Sequence, residues 1–189
     1  LSGGEAKNRV VFYDFSEIGK NVPTRVVGGF DDPFDKAVVP RVAYLKEPYS
    51  CAFGSSGPVF FSSKNLAKPQ LIQDVSMEEN LISGVFYSDE YVGIILWNNT
   101  GEGEKRLQVY QADGSLVFEK EFTYDYVHAD IDEELIFLYN DNSCKVFNMA
   151  GVEKLDTVFD FAVTKIRRGR MPNNLLVMGP QEMREIKLK

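Results

Sequence analysis

The sequence predicts an all-β chain: an array of four-stranded antiparallel blades that together make up part of a β-propeller, its C-terminal half. Three observations predict this. Short runs rich in aromatic and β-branched residues, each closed by turn residues, recur along all 189 residues, which is how strands read. No stretch holds a helical period over about 12 residues. Finally, "YQADGSLVFEKEF" (110–122) and "FNMAGVEKLDTVF" (147–159) share one pattern, 37 residues apart: aromatic, three residues, Gly, seven residues, Phe.

Taken in order, "RVVFYDF" and "TRVVGGF" read as the third and fourth strands of a unit without its first two. "PRVAYL", "PYSCAFGSS", "GPVFFSS" and "LAKPQLIQDV" form a looser four-strand unit. "LISGVFY", "YVGIILW", "RLQVYQ" and "SLVFEKEF" form the next. The run Gly93-Ile94-Ile95-Leu96-Trp97 is apolar throughout and predicts a strand buried on both faces. Arg106-Leu107-Gln108-Val109-Tyr110 alternates, which predicts one buried face. "YVHADIDEE", "ELIFLYN", "CKVFNM" and "VEKLDTVF" make a fourth unit; "VTKIRRG", "NLLVMG" and "MREIKLK" make three strands of a fifth. The units span approximately 9–30, 38–75, 81–122, 126–159 and 161–189 of a single domain.

A period of roughly 37–50 residues holding four hairpin-linked strands is the signature of a propeller blade. One such meander cannot cover its own two faces, so blades come in arrays. The Gly of "ADG" and of "MAG" suits a turn with positive φ. The strands that follow these turns carry charges suited to an exposed edge. Two arrangements suit the incomplete end units: a fragment of a larger propeller, which is favoured, or a small ring whose first strands complete the last blade.

Composition removes several functions. The chain is 44% hydrophobic and 13% aromatic, so it folds, and its net charge of −7 disfavours nucleic acid. No apolar run approaches the ~20 residues of a membrane helix. The chain begins at Leu1, which reads as a processed or truncated product that has lost an upstream anchor or signal. Cys51 and Cys144 lack metal-ligand spacing and read as two unremarkable thiols in or near strands, their pairing left open. With His128 as the single histidine, neither a Ser-His-Asp triad nor a multi-histidine metal site can be built.

Few chemical candidates remain, each with a plainer alternative. His128 and Asp130 stand together in "DYVHADIDEE" as a general base and carboxylate, or as polar residues of an inner strand. Asp130, Asp132, Glu133 and Glu134 are the densest acidic cluster but lack the glycine of a calcium loop, so no metal is expected. Asp31, Asp32 and Asp35 in "GGFDDPFDK" would suit a glycosidase-like pair, or a connection rich in turn residues. Lys165, Arg167, Arg168 and Arg170 in "KIRRGR" are the only basic run, a site for an anion or a charged strand end. Asn98-Asn99-Thr100 matches a glycosylation sequon inside a hairpin loop.

With hydrophobic strand, "D-G" or "A-G" turn and charged strand ending in Phe, the chain resembles the quinoprotein-like and outer-membrane-assembly-type blade repeats. "VVFYDFS" and "VTKIRRGRMPNNLLVMGPQEMREIKL" look most like an uncharacterised bacterial family of membrane-anchored, propeller-like proteins of unknown function. The resemblance implies one N-terminal membrane anchor outside this chain and an extracytoplasmic propeller. It supplies no catalytic residues. The Gly-His and Trp-Asp signatures of WD40 blades are absent, and Trp97 does not recur as quinoprotein tryptophans do, so no cofactor is expected.

The expected function is a non-catalytic binding or scaffolding module on the outer side of a bacterial membrane. A protein or a glycan is its expected partner, or a second copy in a homodimer that completes a propeller. The alternative is a carboxylate-based carbohydrate lyase or hydrolase, which requires Asp31, Asp32, His128 and Asp130 to converge.

Overall fold

A computed structural model describes residues 8–16, 19, 25–31, 33, 41–54, 56–77, 80–98 and 100–188. Among them there is no helix, and every sheet is antiparallel. The chain divides into two compact units, one of Leu1–Glu79 with Ala112–Ser115, the other of Asn80–Gln111 with Leu116–Lys189.

The first unit holds a two-stranded sheet, β1 (Arg9–Tyr13) and β2 (Val26–Asp31). Beside it lies a four-stranded meander, β3 (Arg41–Tyr44), β4 (Tyr49–Gly54), β5 (Gly57–Ser62) and β6 (Gln70–Asp74). Its core forms where Val10, Phe12 and Phe30 pack against Ala52, Val59 and Phe61.

The second unit holds two more meanders. The first is β7 (Asn80–Tyr87), β8 (Tyr91–Asn98), β9 (Lys105–Gln111) and β10 (Leu116–Phe122). The next is β11 (His128–Asp132), β12 (Leu135–Tyr139), β13 (Ser143–Asn148) and β14 (Glu153–Val158). A three-stranded sheet follows: β15 (Lys165–Arg168), β16 (Asn174–Met178) and β17 (Met183–Lys187). Neighbours in sequence are neighbours in each sheet, the blade form predicted, and no sheet closes on itself.

Sheets of the second unit cover one another. Phe86, Ile95, Leu107, Val109 and Phe122 of one meander meet Ile131, Ile136, Leu138 and Phe147 of the next. The other face of that meander, through Phe137, Cys144 and Val146, packs on Ile166, Leu175 and Val177. This is why β12 is apolar without alternation: a central strand with a sheet on each side has no wet face. The outer strands β6, β10 and β14 carry Asp, Glu and Lys at exposed positions, which discourages further edge pairing.

The two quoted stretches occupy equivalent places. Tyr110 and Phe147 stand one residue before the ends of the third strands, Gly114 and Gly151 take φ of 85° and 70° in the hairpins, and Phe122 and Phe159 are buried beyond. The registers show a third, more diverged instance. Each third-to-fourth strand pairing slips by one residue, leaving Ile72, Val117 and Lys154 unpaired. The slip aligns Phe61 with Tyr110 and Phe147, and Leu71 with Leu116 and Glu153. At the same remove along the chain come Met77, Phe122 and Phe159, all buried. Such a bulge adds local twist and re-aims the strand end into the core.

Candidate functional site

The acidic cluster and the basic run meet. β11 and β15 are the first strands of neighbouring sheets in the second unit, and β11 points Ala129 and Ile131 into the core. Strand alternation therefore sends His128, Asp130 and Asp132 to the opposite face. There Lys165 Nζ donates to Asp130 Oδ2 at 2.6 Å and Arg167 donates to the same oxygen at 3.1 Å. Asp132 accepts the backbone N–H of Arg168 at 3.0 Å, and the Arg168 guanidinium pairs with Glu133. Two carboxylates, Asp130 and Glu133, thus meet three cations, and Asp132 meets a backbone N–H. No group of three or more metal-ligating side chains assembles among the described residues.

His128 lies against the Tyr139 ring, centroids 5.0 Å apart at 32°. Burial raises the Tyr139 phenol, while the nearby Lys165 ammonium acts in the opposite sense. Arg170 and Glu134 are exposed. In the first unit Asp31 pairs with Arg9 at 2.8 Å across the β1–β2 sheet. Asp32 and Asp35 lie outside the described residues. Among the described residues, the carboxylates whose pKa is moved clearly, Asp14, Asp113 and Asp160, all move down. The causes are hydrogen bonds from Ser16, Ser115 and Arg184 respectively, the reverse of what a general acid requires.

The cysteines are free and buried, Cys51 in β4 and Cys144 in β13. Burial pushes the Cys51 thiol well above its ordinary 9.0 and Cys144 up to about 12, so neither is a ready nucleophile. The sequon is engaged as well. Asn98 Nδ2, the atom that would carry a glycan, donates to the Glu102 carbonyl, and Asn98 Oδ1 accepts from Thr100 Oγ1 and the Glu102 N–H.

Sequence reasoning missed two features. Lys105 is buried, with its ammonium 4.5 Å from the Trp97 ring centroid, bonded to the Tyr124 carbonyl at 3.3 Å and Asp125 at 3.0 Å. This fastens the connection between two sheets and leaves no donor for a ligand in view. The second is a cleft of about 350 Å³ within the first unit. Tyr13, Phe15, Val42 and Tyr44 form its exposed walls, with Ser50 and Phe61 at its base. It is large enough for a small ligand or several side chains of a larger one. Local sequence offers no motif for it, because its walls come from strands that pair separately.

A model of the Family of unknown function (DUF5711) matches residues 1–188, so the chain belongs to that family. No curated protein matches it. Among solved structures, one described as a eukaryotic initiation factor superposes with a TM-score of 0.53 at 11% identity, over 98% of this chain and 50% of that one. The chain therefore spans about half the length of that relative. A protein of unknown function from Bacteroides caccae gives 0.46 at 7% identity, over 88% of this chain and 65% of that one. Citrobacter koseri AztD gives 0.45 at 8% identity, over 95% and 67%.

Proposed function

We propose, for this member of a family of unknown function, that the chain is a non-catalytic binding or scaffolding module displayed on the outer side of a bacterial membrane. Its partner is a protein or a glycan, and an anchor outside this chain holds it at the membrane. The single observation that carries the reading is the engagement of the candidate catalytic groups. Asp130, the carboxylate nearest His128 along β11, is held by both Lys165 and Arg167, and Asp132 and Glu133 are taken up by Arg168. Both Asp130 oxygens are engaged, Oδ2 by the two cations and Oδ1 by the Ile131 N–H, so neither is presented to a substrate. Meanwhile the cleft of the first unit leaves large aromatic surface in water, which in a folded domain marks a contact region.

The test is incubation of the purified chain with soluble polysaccharides, reading new reducing ends and unsaturated sugar products. Alongside it, calorimetric titration with oligosaccharides and peptides reads binding. Binding without cleavage is the expected result. Cleavage that disappears in His128→Ala or Asp130→Asn would overturn the reading and establish the lyase or hydrolase.

A further inference from the structure

The charged residues that β15 brings to β11 are spent to different degrees. Arg168 is fixed twice, through its backbone N–H on Asp132 at 3.0 Å and its guanidinium on Glu133. Lys165 is held by Asp130 at 2.6 Å and lies beside the Tyr139 phenol. These bonds fasten β15 to β11 on either side of Arg167.

Arg167 itself is half engaged. Its Nη1 donates to Asp130 Oδ2 at 3.1 Å, and among the described residues no group takes the hydrogens of Nε or Nη2. The side chain is 44% exposed, so those donors are within reach of a ligand. A guanidinium already pinned by one nitrogen loses little freedom when its other edge is occupied.

His128 is in the same condition. It stands two residues before Asp130 on the same face of β11, exposed, with its ring against buried Tyr139. Among the described residues neither ring nitrogen has a hydrogen-bond partner. Same-face neighbours on a strand stand about 7 Å apart. An imidazole and a guanidinium therefore flank Asp130 at the scale of one small molecule.

Charge selects what fits between them. Lys165 and Arg167 bring two positive charges to the single negative charge of Asp130, an excess of one. Asp132 lies further along the same face of the strand, and a dianion would meet its repulsion. The free Nε–Nη2 edge of an arginine receives a carboxylate through two parallel bonds. An imidazole nitrogen donates to or accepts from a hydroxyl. The chain as a whole is acidic, so the attraction is local and suits one charged residue of a ligand, not a dense polyanion.

We infer that Arg167 and His128 form a binding site for a hydroxylated monocarboxylate of the uronic acid class. Its carboxylate lies on the Nε–Nη2 edge of Arg167 and a ring hydroxyl on His128. This rests on the binding-module reading and narrows the partner to an acidic glycan.

The experiment uses the whole chain, labelled for NMR, with sodium glucuronate as the probe. The Arg167 Nε–H and His128 ring signals should shift together on titration. Glucose lacks the carboxylate, acetate lacks the hydroxyls and inorganic phosphate carries extra charge. Each should bind at least about tenfold more weakly than glucuronate. Arg167→Lys keeps the charge without the fork and should weaken binding by about tenfold or more. His128→Phe keeps a ring against Tyr139 and should abolish the preference over acetate. The amide spectrum of each variant reports that the fold is intact, and the titration of the unaltered chain does not depend on either.

Four results would overturn the inference. They are no shift at the highest glucuronate concentration, shifts confined to other residues, equal binding of any of the three controls, and indifference to both variants. None of these readouts involves bond cleavage, so failure here leaves the non-catalytic reading to its own assay.

Discussion

Lys165 donates to Asp130 across 2.6 Å, joining the chain's densest acidic cluster to its only basic run. Asp130 is mostly buried and Arg167 shares the same oxygen, so removing the carboxylate leaves two cations facing each other. Asp130→Asn should lower stability by about 1–2 kcal/mol in urea unfolding. Lys165→Met in the same background should restore part of that loss, because it removes one of the stranded charges. An unchanged midpoint in Asp130→Asn would mean the pairs are solvent-screened and structurally idle.

Equivalent positions in the two matched stretches should behave alike. Phe122 and Phe159 are both buried at the ends of outer strands, while Leu116, near the start of one, is half exposed. Truncating either phenylalanine to Ala should cost about 3–5 kcal/mol, by lost burial and the cavity left behind. Leu116→Ala should cost about 0.5 kcal/mol or less, as an exposed substitution does. Denaturant midpoints of the three variants check this directly.

Alkaline pH should destabilise the fold. Cys144 moves from an ordinary 9.0 up to about 12, chiefly by burial with a further push from Asp156. Tyr110 moves from 10.0 up to about 12, by burial and then Glu119. A group whose folded pKa is raised keeps its proton in the native state while the unfolded chain releases it. Its contribution is therefore complete below the unfolded value and drains away as pH climbs from about 9 toward 12. Thermal melts should fall through this window, and Cys144→Ala should flatten the early part of the slope. A melt that holds level from pH 8 to pH 11 would contradict this burial account.

The sequon should stay bare. Asn98 Nδ2 is spent on the Glu102 carbonyl, and the loop would have to open before a glycan could be attached. Mass spectrometry of the chain secreted from a glycosylating host should show the unmodified Asn98 peptide. Asn98→Ala should lower the melting temperature by a few degrees, from a loss of about 1 kcal/mol as the turn loses its bonds.

Much of the architecture was readable locally. Strand alternation has a period of two, and turn chemistry sits in adjacent residues, so "RLQVYQADG" announces a strand and a positive-φ turn without help from the rest of the chain. The apolar run at 93–97 announces a strand with two dry faces for the same reason. The third instance of the matched pattern was harder to see. Its hairpin from Phe61 to Leu71 is longer than those from Tyr110 to Leu116 and Phe147 to Glu153, and only the shared register slip aligns it.

The sequence by itself determined the element type, the four-strand meanders and which residues carried charge or aromatic rings, because each depends on contacts between near neighbours. Only the tertiary structure decided that Asp130 is neutralised by cations 35 and 37 residues away. It alone decided too that Tyr44 stands in water where Ile131 is sealed. The physical reason is the same in both cases. A side chain's charge environment and its solvent exposure are set by the sheet stacked upon it, and stacking joins segments that local periodicity cannot pair.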